Sequence, residues 1–229
     1  MARLKLPFTL ETFLSMILAH SQFLSIFMPS DAATIVSAEH EGKAALCSLI
    51  LTVFRLDPIS CCKSALLSMF LTGFQGTNSD ADTTILQILQ IFERECGISV
   101  LDYAVVWGRG SIDLRSTEAS DVADSNLFLE SLGLIDVAFM TDTVGNFDLV
   151  VKKSVKGYDP RFFLSLFVHL MGQEVDVRRF IEVGGLSLAV MAMASEHMEL
   201  RQMGHVIVSE AHRLLEVRLT IGPLLILVC

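Results

Sequence analysis

Two residue groups in this chain have spacings close to those of known chemical motifs. Gly108-Arg109-Gly110 follows an apolar run, as a dinucleotide-binding loop does, but the third glycine of that motif is missing and no helical pattern clearly follows. We therefore predict a surface turn there. Cys61-Cys62 are adjacent, whereas the cysteines of zinc-binding and redox-active pairs are separated by two residues. We predict that these thiols are buried or half-buried.

Histidines and lysines provide two further candidates for ligand binding. His205 and His212 are seven residues apart and share a helix face, but no cysteine or third histidine completes a metal site. Lys152-Lys153-Ser154-Val155-Lys156 is a basic cluster, interpreted as a solvated linker or, alternatively, as a phosphate contact or a fragment of an import signal. No hydrolase, metalloprotease or phosphate-loop signature is present. We predict no enzyme activity, no cofactor, no metal and no small-molecule substrate.

Composition limits the class of protein that carries these residues. The 229 residues are 52% hydrophobic and 19% charged, which excludes a mainly disordered chain, and five cysteines are too few for a disulfide scaffold. The net charge of −9 argues against nucleic-acid binding by general basic attraction. That excess is local, because residues 76–148 contain 13 acidic and 3 basic residues and the remainder contains 13 and 14. The flanks could therefore still meet an RNA-rich particle.

The mean hydropathy of +0.56 raises the question of a membrane-spanning segment. Thr12–Ser30 has no charged residue, but His20 and Gln22 lie near its centre, where polar groups are most costly in a bilayer. The apolar tail Leu219–Cys229 is too short to span and is broken by Gly222-Pro223. We predict no membrane segment and attribute the apolarity to helices buried in a larger assembly.

Apolar residues spaced three and four apart predict four helices in the N-terminal half. The predicted ranges are Leu10–Met28, Ala32–Phe54 after the N-cap Asp31, Ile59–Phe74 after Asp57-Pro58, and Thr83–Cys96 between the cap residues Ser79 and Gly97. Residues 98–156 contain short apolar runs between acidic and small polar residues, and this pattern leaves short helices and strands both open.

Helical periodicity returns after Tyr158. Asp159 is a predicted N-cap and Pro160 occupies the first helical position. The buried stripe of this helix is predicted to be Phe163, Leu166, Phe167 and Leu170. The helices that follow are Glu174–Val183, then, after Gly184-Gly185, an apolar helix Leu186–Ala194 enclosed on all sides, and the amphipathic Glu196–Leu215.

This layout of a short helix, two glycines, a buried helix and a long amphipathic helix is typical of an armadillo or HEAT-type unit. Such units stack because none buries its apolar face alone. We predict a predominantly all-α chain, an irregular armadillo/HEAT-like α-solenoid, with a compact helical bundle as the alternative. The predicted organisation is N-terminal helical hairpins at 1–97, an acidic, loop-rich middle segment at 98–156, an armadillo-like unit at 157–218 and an apolar tail at 219–229.

The run Tyr158–Leu170, followed by Arg179–Leu186, resembles the C-terminal domain family of nucleolar pre-ribosomal-associated protein 1. Upstream, Trp107-Gly108 and Ser131–Asp136 are similar to the same family in the same order. The resemblance is most specific over Tyr158–Leu186. We expect its signature residues to be structural or to lie in an interface; they are Trp107, Gly108, Tyr158, Asp159, Pro160, Arg161, Phe163, Phe167, Gly184 and Gly185.

The resemblance implies a non-enzymatic helical-repeat scaffold in the nucleus and nucleolus that acts in early assembly of the large ribosomal subunit and in pre-rRNA processing. The implied partners are other ribosome-assembly factors and pre-60S particle proteins, with pre-rRNA or small nucleolar RNPs met indirectly. Family members are far longer, so we expect this chain to be the C-terminal portion of a longer protein. The alternative is an armadillo-like adaptor that binds proteins outside ribosome assembly. Trp107, the single tryptophan, is expected to anchor a core or, alternatively, an interface.

Overall fold

A computed structural model describes residues 9–28, 37–100, 107–108, 132–172 and 175–226. Regular secondary structure in these ranges is helical, and the β-type pairing within them is one isolated bridge. The prediction of an all-α chain is therefore confirmed, while the solenoid arrangement stays a prediction. Across the same ranges, no helix has both the length and the apolarity needed to cross a membrane.

The chain divides into two compact units. Unit 1 is Met1–Gln75 with Ser79–Tyr103, and unit 2 is Gly76–Asn78 with Ala104–Cys229. The described helices of unit 1 are α1 (Leu10–Leu18), α2 (Phe23–Phe27), α3 (Ser37–Leu56), α4 (Pro58–Cys61), α5 (Ser64–Gly73) and α6 (Asp80–Cys96). Those of unit 2 are α7 (Val137–Gly145), α8 (Phe147–Val151), α9 (Pro160–Met171), α10 (Val177–Glu182), α11 (Gly185–Met193) and α12 (Met198–Ile226). The regular secondary structure described within the middle segment is thus helical, and the four-part organisation stays a prediction.

Phenylalanines from α2, α3, α5 and α6 form the core of unit 1. Phe70 lies edge-to-face against Phe27 and Phe54, with ring centroids 5.9 and 5.6 Å apart. Phe92 lies 5.6 Å from Phe54, and all four rings are fully buried. Such aromatic pairs contribute about 0.5–1.5 kcal/mol beyond the burial of their surface.

A buried lysine lies beside this aromatic core. The Nζ of Lys43 donates to the carbonyl of Gly73, the last residue of α5, at 2.7 Å and lies 5.6 Å from the ring centroid of Phe27. The cation satisfies a helix C-terminal carbonyl that has no partner within its own helix. A Cβ on Gly73 would come within 2.2 Å of Phe27, so glycine is required for this close packing.

The predicted helix Leu10–Met28 is two helices, α1 and α2, because residues 19–22 leave the helical path. In this break the backbone N–H of Gln22 donates to Nδ1 of His20 at 3.3 Å. A local side-chain acceptor of this kind competes with the helical hydrogen-bond pattern. The polar residues near the centre of the apolar run therefore interrupt the helix.

The predicted helix Ile59–Phe74 is also interrupted. It begins as the single turn α4 and restarts as α5 after Lys63, whose backbone is extended (φ −110°, ψ 140°). The ammonium group of Lys63 pairs there with the carboxylate of Glu11. A contact distant in sequence accompanies the break, which helical periodicity alone does not reveal.

Helix caps in unit 1 follow the sequence closely. Three predicted caps are confirmed. Asp57 accepts a hydrogen bond from the N–H of Ser60, and Ser79 accepts one from the N–H of Asp82. Gly97 ends its helix with φ +63°. Asp31, the predicted cap of the second helix, lies outside the described residues, and α3 is described from Ser37.

Helix α9 packs against α11 and α12 in unit 2. Its N-cap Asp159 accepts from the backbone N–H of Arg161 at 3.0 Å, and Pro160 occupies the first position, as predicted. The predicted stripe is confirmed, because Phe163, Leu166, Phe167 and Leu170 are all fully buried.

Two predictions for the last helices are wrong. Helix α11 is not enclosed on all sides, since Val190 is 51% exposed while Leu188 and Ala189 are fully buried. The apolar composition of α11 did not show which of its own faces are covered by neighbouring helices. Helix α12 continues through Gly222 and Pro223 instead of breaking there. Proline removes one backbone donor and can kink a helix without ending it.

Candidate functional site

The signature segment is joined at its start to a short piece of chain distant in sequence. Thr77 and Tyr158 form an antiparallel bridge. Beside it, the N–H of Asn78 donates to the carbonyl of Gly157 at 2.9 Å, and the N–H of Asp159 donates to the carbonyl of Gly76 at 2.7 Å. Residues 76–78 therefore fix the backbone that leads into α9.

The side chain of Asn78 holds the turn that precedes the signature segment. Its amide nitrogen donates to the carbonyls of Val150 and Val155 at 3.0 and 2.7 Å, and its amide oxygen accepts from the N–H of Gly157 at 3.1 Å. Asn78 is 8% exposed, so these bonds satisfy groups that have little access to water. We refer to these contacts as the Asn78 clamp.

Tyr158 connects the clamp with α7. Its hydroxyl accepts from the backbone N–H of Asp136 at 3.0 Å, and its own N–H donates to Oγ1 of Thr143 at 3.0 Å. The ring packs against Phe139 and Phe163, with centroids 4.7 and 4.5 Å away. Burial raises the pKa of Tyr158, so the hydroxyl remains neutral at physiological pH.

Trp107 anchors the core of unit 2. The indole is 3% exposed and lies edge-to-face against Phe162 and Phe163, with centroids 5.8 and 5.4 Å apart. This burial confirms the prediction of a core anchor. Gly108 follows with φ +71°, while Arg109 and Gly110 lie outside the described residues.

The two glycines between α10 and α11 have steric roles. Gly184 has φ +84°, and a Cβ there would lie 3.0 Å from Cγ of Met140. A Cβ on Gly185 would lie 2.2 Å from the ring of Phe180. The positive φ and the close approaches explain why glycine occupies both positions.

Among the ten signature residues, all of them within the described ranges, Arg161 is the exposed one. The others cap a helix, pack in the core or, as the three glycines do, supply a positive φ or a close approach. The structure thus brings Trp107, Tyr158 and Phe163 together in one cluster. Asn78 and Thr143, which complete that cluster, were not identified from sequence, because their partners lie 15 to 79 residues away.

The other candidate side chains lie on the surface. Lys152, Lys153 and Lys156 are exposed on the turn that the Asn78 clamp holds, and Lys153 has φ +57°. His205 and His212 are exposed on α12, where they lie on the face that was predicted to be polar. Within the part of the chain that the structure describes, no three histidine, cysteine, aspartate or glutamate side chains converge on a possible metal position.

The cysteines of unit 1 are mostly shielded from solvent. Cys47 and Cys61 are fully buried, while Cys62 and Cys96 are half-buried, which confirms the prediction for Cys61-Cys62. Burial raises the pKa of Cys47 to about 12, and burial together with a hydrogen bond to Cys96 raises that of Cys62 to about 12. Burial also raises the pKa of Cys61. Because the thiolate is the reactive form, the thiols of Cys47, Cys61 and Cys62 are weak nucleophiles at neutral pH.

An apolar cavity of about 270 Å³ lies in unit 1 between α1, α2 and α3. It is lined by Met16, Ile17, His20, Phe23, Ile26 and Leu46. Ligand sites combine apolar walls with several converging polar groups that orient the substrate. His20 is the one ionisable residue that lines this cavity, so the lining does not supply the two groups that general acid–base catalysis would need.

Within the described ranges the chain is all-α, and its signature residues other than Arg161 have structural roles. Two curated proteins are similar to it. Human (Homo sapiens) nucleolar pre-ribosomal-associated protein 1 is 28% identical over 225 residues, covering 88% of this chain and 10% of the human protein. The Mus musculus protein of the same name is 28% identical over 225 residues, covering 84% of this chain and 10% of its own length.

These similarities confirm the resemblance that the sequence indicated. The chain spans about a tenth of the length of the curated relatives it matches. Their names describe these two relatives as nucleolar and pre-ribosomal-associated. No family model matches the chain, and no solved structure gives a significant match.

Proposed function

We propose that this chain is a non-enzymatic helical-repeat scaffold in ribosome biogenesis, acting in early large-subunit assembly and pre-rRNA processing. The observation that carries the proposal is similarity over 88% of the chain to a protein named as nucleolar and pre-ribosomal-associated. The packing and capping roles of the signature residues support recognition by a rigid surface rather than by catalysis. Its partners are other assembly factors and pre-60S particle proteins, with small nucleolar RNPs met through them.

The test determines where the tagged chain is located in cells and which proteins and particles co-purify with it. We expect nucleolar signal, co-sedimentation with large-subunit precursor particles, and recovery of assembly factors on affinity purification. Depletion of the endogenous protein should cause large-subunit pre-rRNA to accumulate. Diffuse signal together with RNA-free partners would refute the proposal and favour the alternative of an armadillo-like adaptor outside ribosome assembly.

The exposed turn at 152–156 is our candidate for a direct contact with pre-rRNA. Lys152 and Lys156 are exposed on a turn whose backbone the buried Asn78 clamp holds, so both side chains extend into solvent from a fixed backbone. A lysine that neutralises a phosphate releases a counterion, which makes binding salt-dependent. Arg178 and Arg179 are also exposed, but they share the single carboxylate of Glu182, which offsets about one of their two charges.

This difference provides a matched experiment on pre-rRNA fragments. The double variant Lys152→Gln/Lys156→Gln should weaken binding and reduce the slope of log K against log salt by about 1.4 for a single strand. The control Arg178→Gln/Arg179→Gln removes the same formal charge and should change the slope less, because Glu182 already offsets part of the arginine charge. Equal effects from both variants would show that general charge, and not this turn, governs binding.

A further inference from the structure

One serine lies within the exposed turn that follows α8. Ser154 has Lys152 and Lys153 directly before it and Lys156 two positions after it. Among the serines and threonines of the sequence, it is the one with lysine or arginine within two positions on both sides, and no acidic residue lies within four positions of it. A hydroxyl in this charge pattern is typical of substrates of basophilic protein kinases, which select their substrates through complementary acidic side chains.

The backbone places this serine outside the helix. The N–H of Lys153, whose φ is +57°, donates to the carbonyl of Val150 at 2.9 Å, and the N–H of Ser154 donates to the carbonyl of Leu149 at 2.8 Å. These two bonds and the left-handed residue form a Schellman motif, which ends α8 and directs the chain away from it. Ser154 and all three lysines of the turn are exposed. The hydroxyl and the basic residues that a kinase would recognise are therefore accessible together on the folded chain.

We propose that Ser154 is a phosphorylation site for a basophilic serine/threonine kinase. The hydroxyl oxygen of Ser154 attacks the γ-phosphorus of Mg-ATP, the bond from that phosphorus to the β–γ bridging oxygen breaks, and ADP leaves with the electron pair of that bond. The proton of the hydroxyl passes to the catalytic aspartate of the kinase and then to solvent. One serine and one ATP thus give one phosphoserine, one ADP and one proton.

The phosphate changes the charge of the turn. A phosphoserine carries a charge of about −1.5 to −2 at pH 7, which offsets most of the positive charge of Lys152 and Lys156. Both lysines lie two positions from Ser154 on the same exposed turn. The phosphorylation itself is independent of the proposed role in ribosome assembly, whereas its effect on binding rests on the proposed contact of this turn with pre-rRNA. For that contact, phosphorylation should weaken RNA binding.

The first experiment treats the folded full chain with Mg-ATP and the catalytic domain of protein kinase C, a basophilic kinase, and maps the products by mass spectrometry. We expect Ser154 to be modified first, and Ser154→Ala to lose that product. Lys152→Gln/Lys156→Gln should lower kcat/KM at Ser154 by about tenfold or more, whereas the matched control Arg178→Gln/Arg179→Gln should leave it unchanged. An unmodified Ser154 in the folded wild-type chain, or equal rates for the two double variants, would overturn the proposal.

The second experiment measures how the phosphorylated chain binds pre-rRNA fragments. Its slope of log K against log salt should be lower by about 1.4, as in the lysine double variant, and kinase-treated Ser154→Ala should bind like the untreated wild-type chain. If phosphorylation leaves binding unchanged in a chain that binds through these lysines, the effect of the phosphate on the turn is refuted. If the unmodified chain binds no RNA, the proposed RNA contact fails, and the kinase mapping still decides whether Ser154 is the site.

Discussion

Replacing Asn78 by alanine should destabilise unit 2 by about 3 kcal/mol. The substitution removes two donors, to Val150 and Val155, and one acceptor, for the N–H of Gly157. A hydrogen bond contributes about 0.5–1.5 kcal/mol net, and a buried group left without a partner costs about 1–3 kcal/mol. Three such losses at a position that is 8% exposed give the estimate, which lowers the folded-to-unfolded ratio by about a hundredfold.

The chain contains its own probe for this experiment. Trp107 is its single tryptophan and packs in the core of unit 2, so indole fluorescence during urea unfolding reports on that unit. The matched control is Asn146→Ala, which removes an exposed amide that donates to the carbonyl of Asp142 at 3.0 Å. We expect this change to alter the free energy of unfolding by no more than about 0.5 kcal/mol.

Asn78→Asp separates hydrogen bonding from shape. The aspartate keeps an acceptor for Gly157 but directs a carboxylate oxygen at the carbonyls of Val150 and Val155, so we expect it to be at least as destabilising as alanine at pH 7. Burial should raise the pKa of this carboxyl, so its destabilising effect should diminish as the pH falls and the group protonates. A loss below about 1 kcal/mol for Asn78→Ala, or full stability of Asn78→Asp at pH 7, would refute the reasoning.

Three further substitutions or measurements test the surrounding structure. Tyr158→Phe should cost about 1 kcal/mol at pH 7 through the lost bond from Asp136. Burial raises the pKa of Tyr158, so above pH 10 this tyrosine ionises in the unfolded chain before it does so in the folded chain. The free energy of unfolding of the wild-type chain should therefore fall as the pH rises above 10. Urea unfolding at several pH values should show that this fall is smaller in Tyr158→Phe. Gly184→Ala should cost about 1–3 kcal/mol because φ is +84°, whereas Gly145→Ala, with open space around it, should be neutral or stabilising in thermal melts. Cys47 should resist iodoacetamide at pH 8 until the protein unfolds, and rapid labelling in the folded state would contradict its burial.

Helix starts were the most predictable part of this fold. The caps at Asp57, Ser79 and Asp159 depend on side-chain bonds to residues two or three positions away, which a sequence displays directly. Helix ends were less predictable, because the break at residues 19–22 is accompanied by a local side-chain acceptor and the break at Lys63 by a pairing with Glu11, 52 residues away. Periodicity identifies the face that a helix buries, but neighbouring elements determine how far the helix continues.

The candidate site was predictable only in part, for the same reason. Trp107 and Phe163 are large apolar residues, and their burial follows from residue type. The Asn78 clamp joins positions 72 to 79 residues apart, and asparagine in a polar turn carries no signal that distinguishes a buried clamp from an exposed bend. Lys43 likewise reads as a solvated charge until its carbonyl partner at Gly73 is known.

The buried clamp and the proposed surface function are physically connected. A scaffold recognises partners through exposed side chains, and Arg161 is the signature residue that is exposed. Arg161 and the lysines at 152–156 lie on either side of residues 157–159, whose backbone the Asn78 clamp and Gly76 hold. Loss of the clamp should therefore weaken RNA or protein binding even though Asn78 has little exposed surface with which to contact a partner. Asn78→Ala should thus reduce both stability and binding, whereas Lys152→Gln/Lys156→Gln should reduce binding and leave the urea midpoint unchanged.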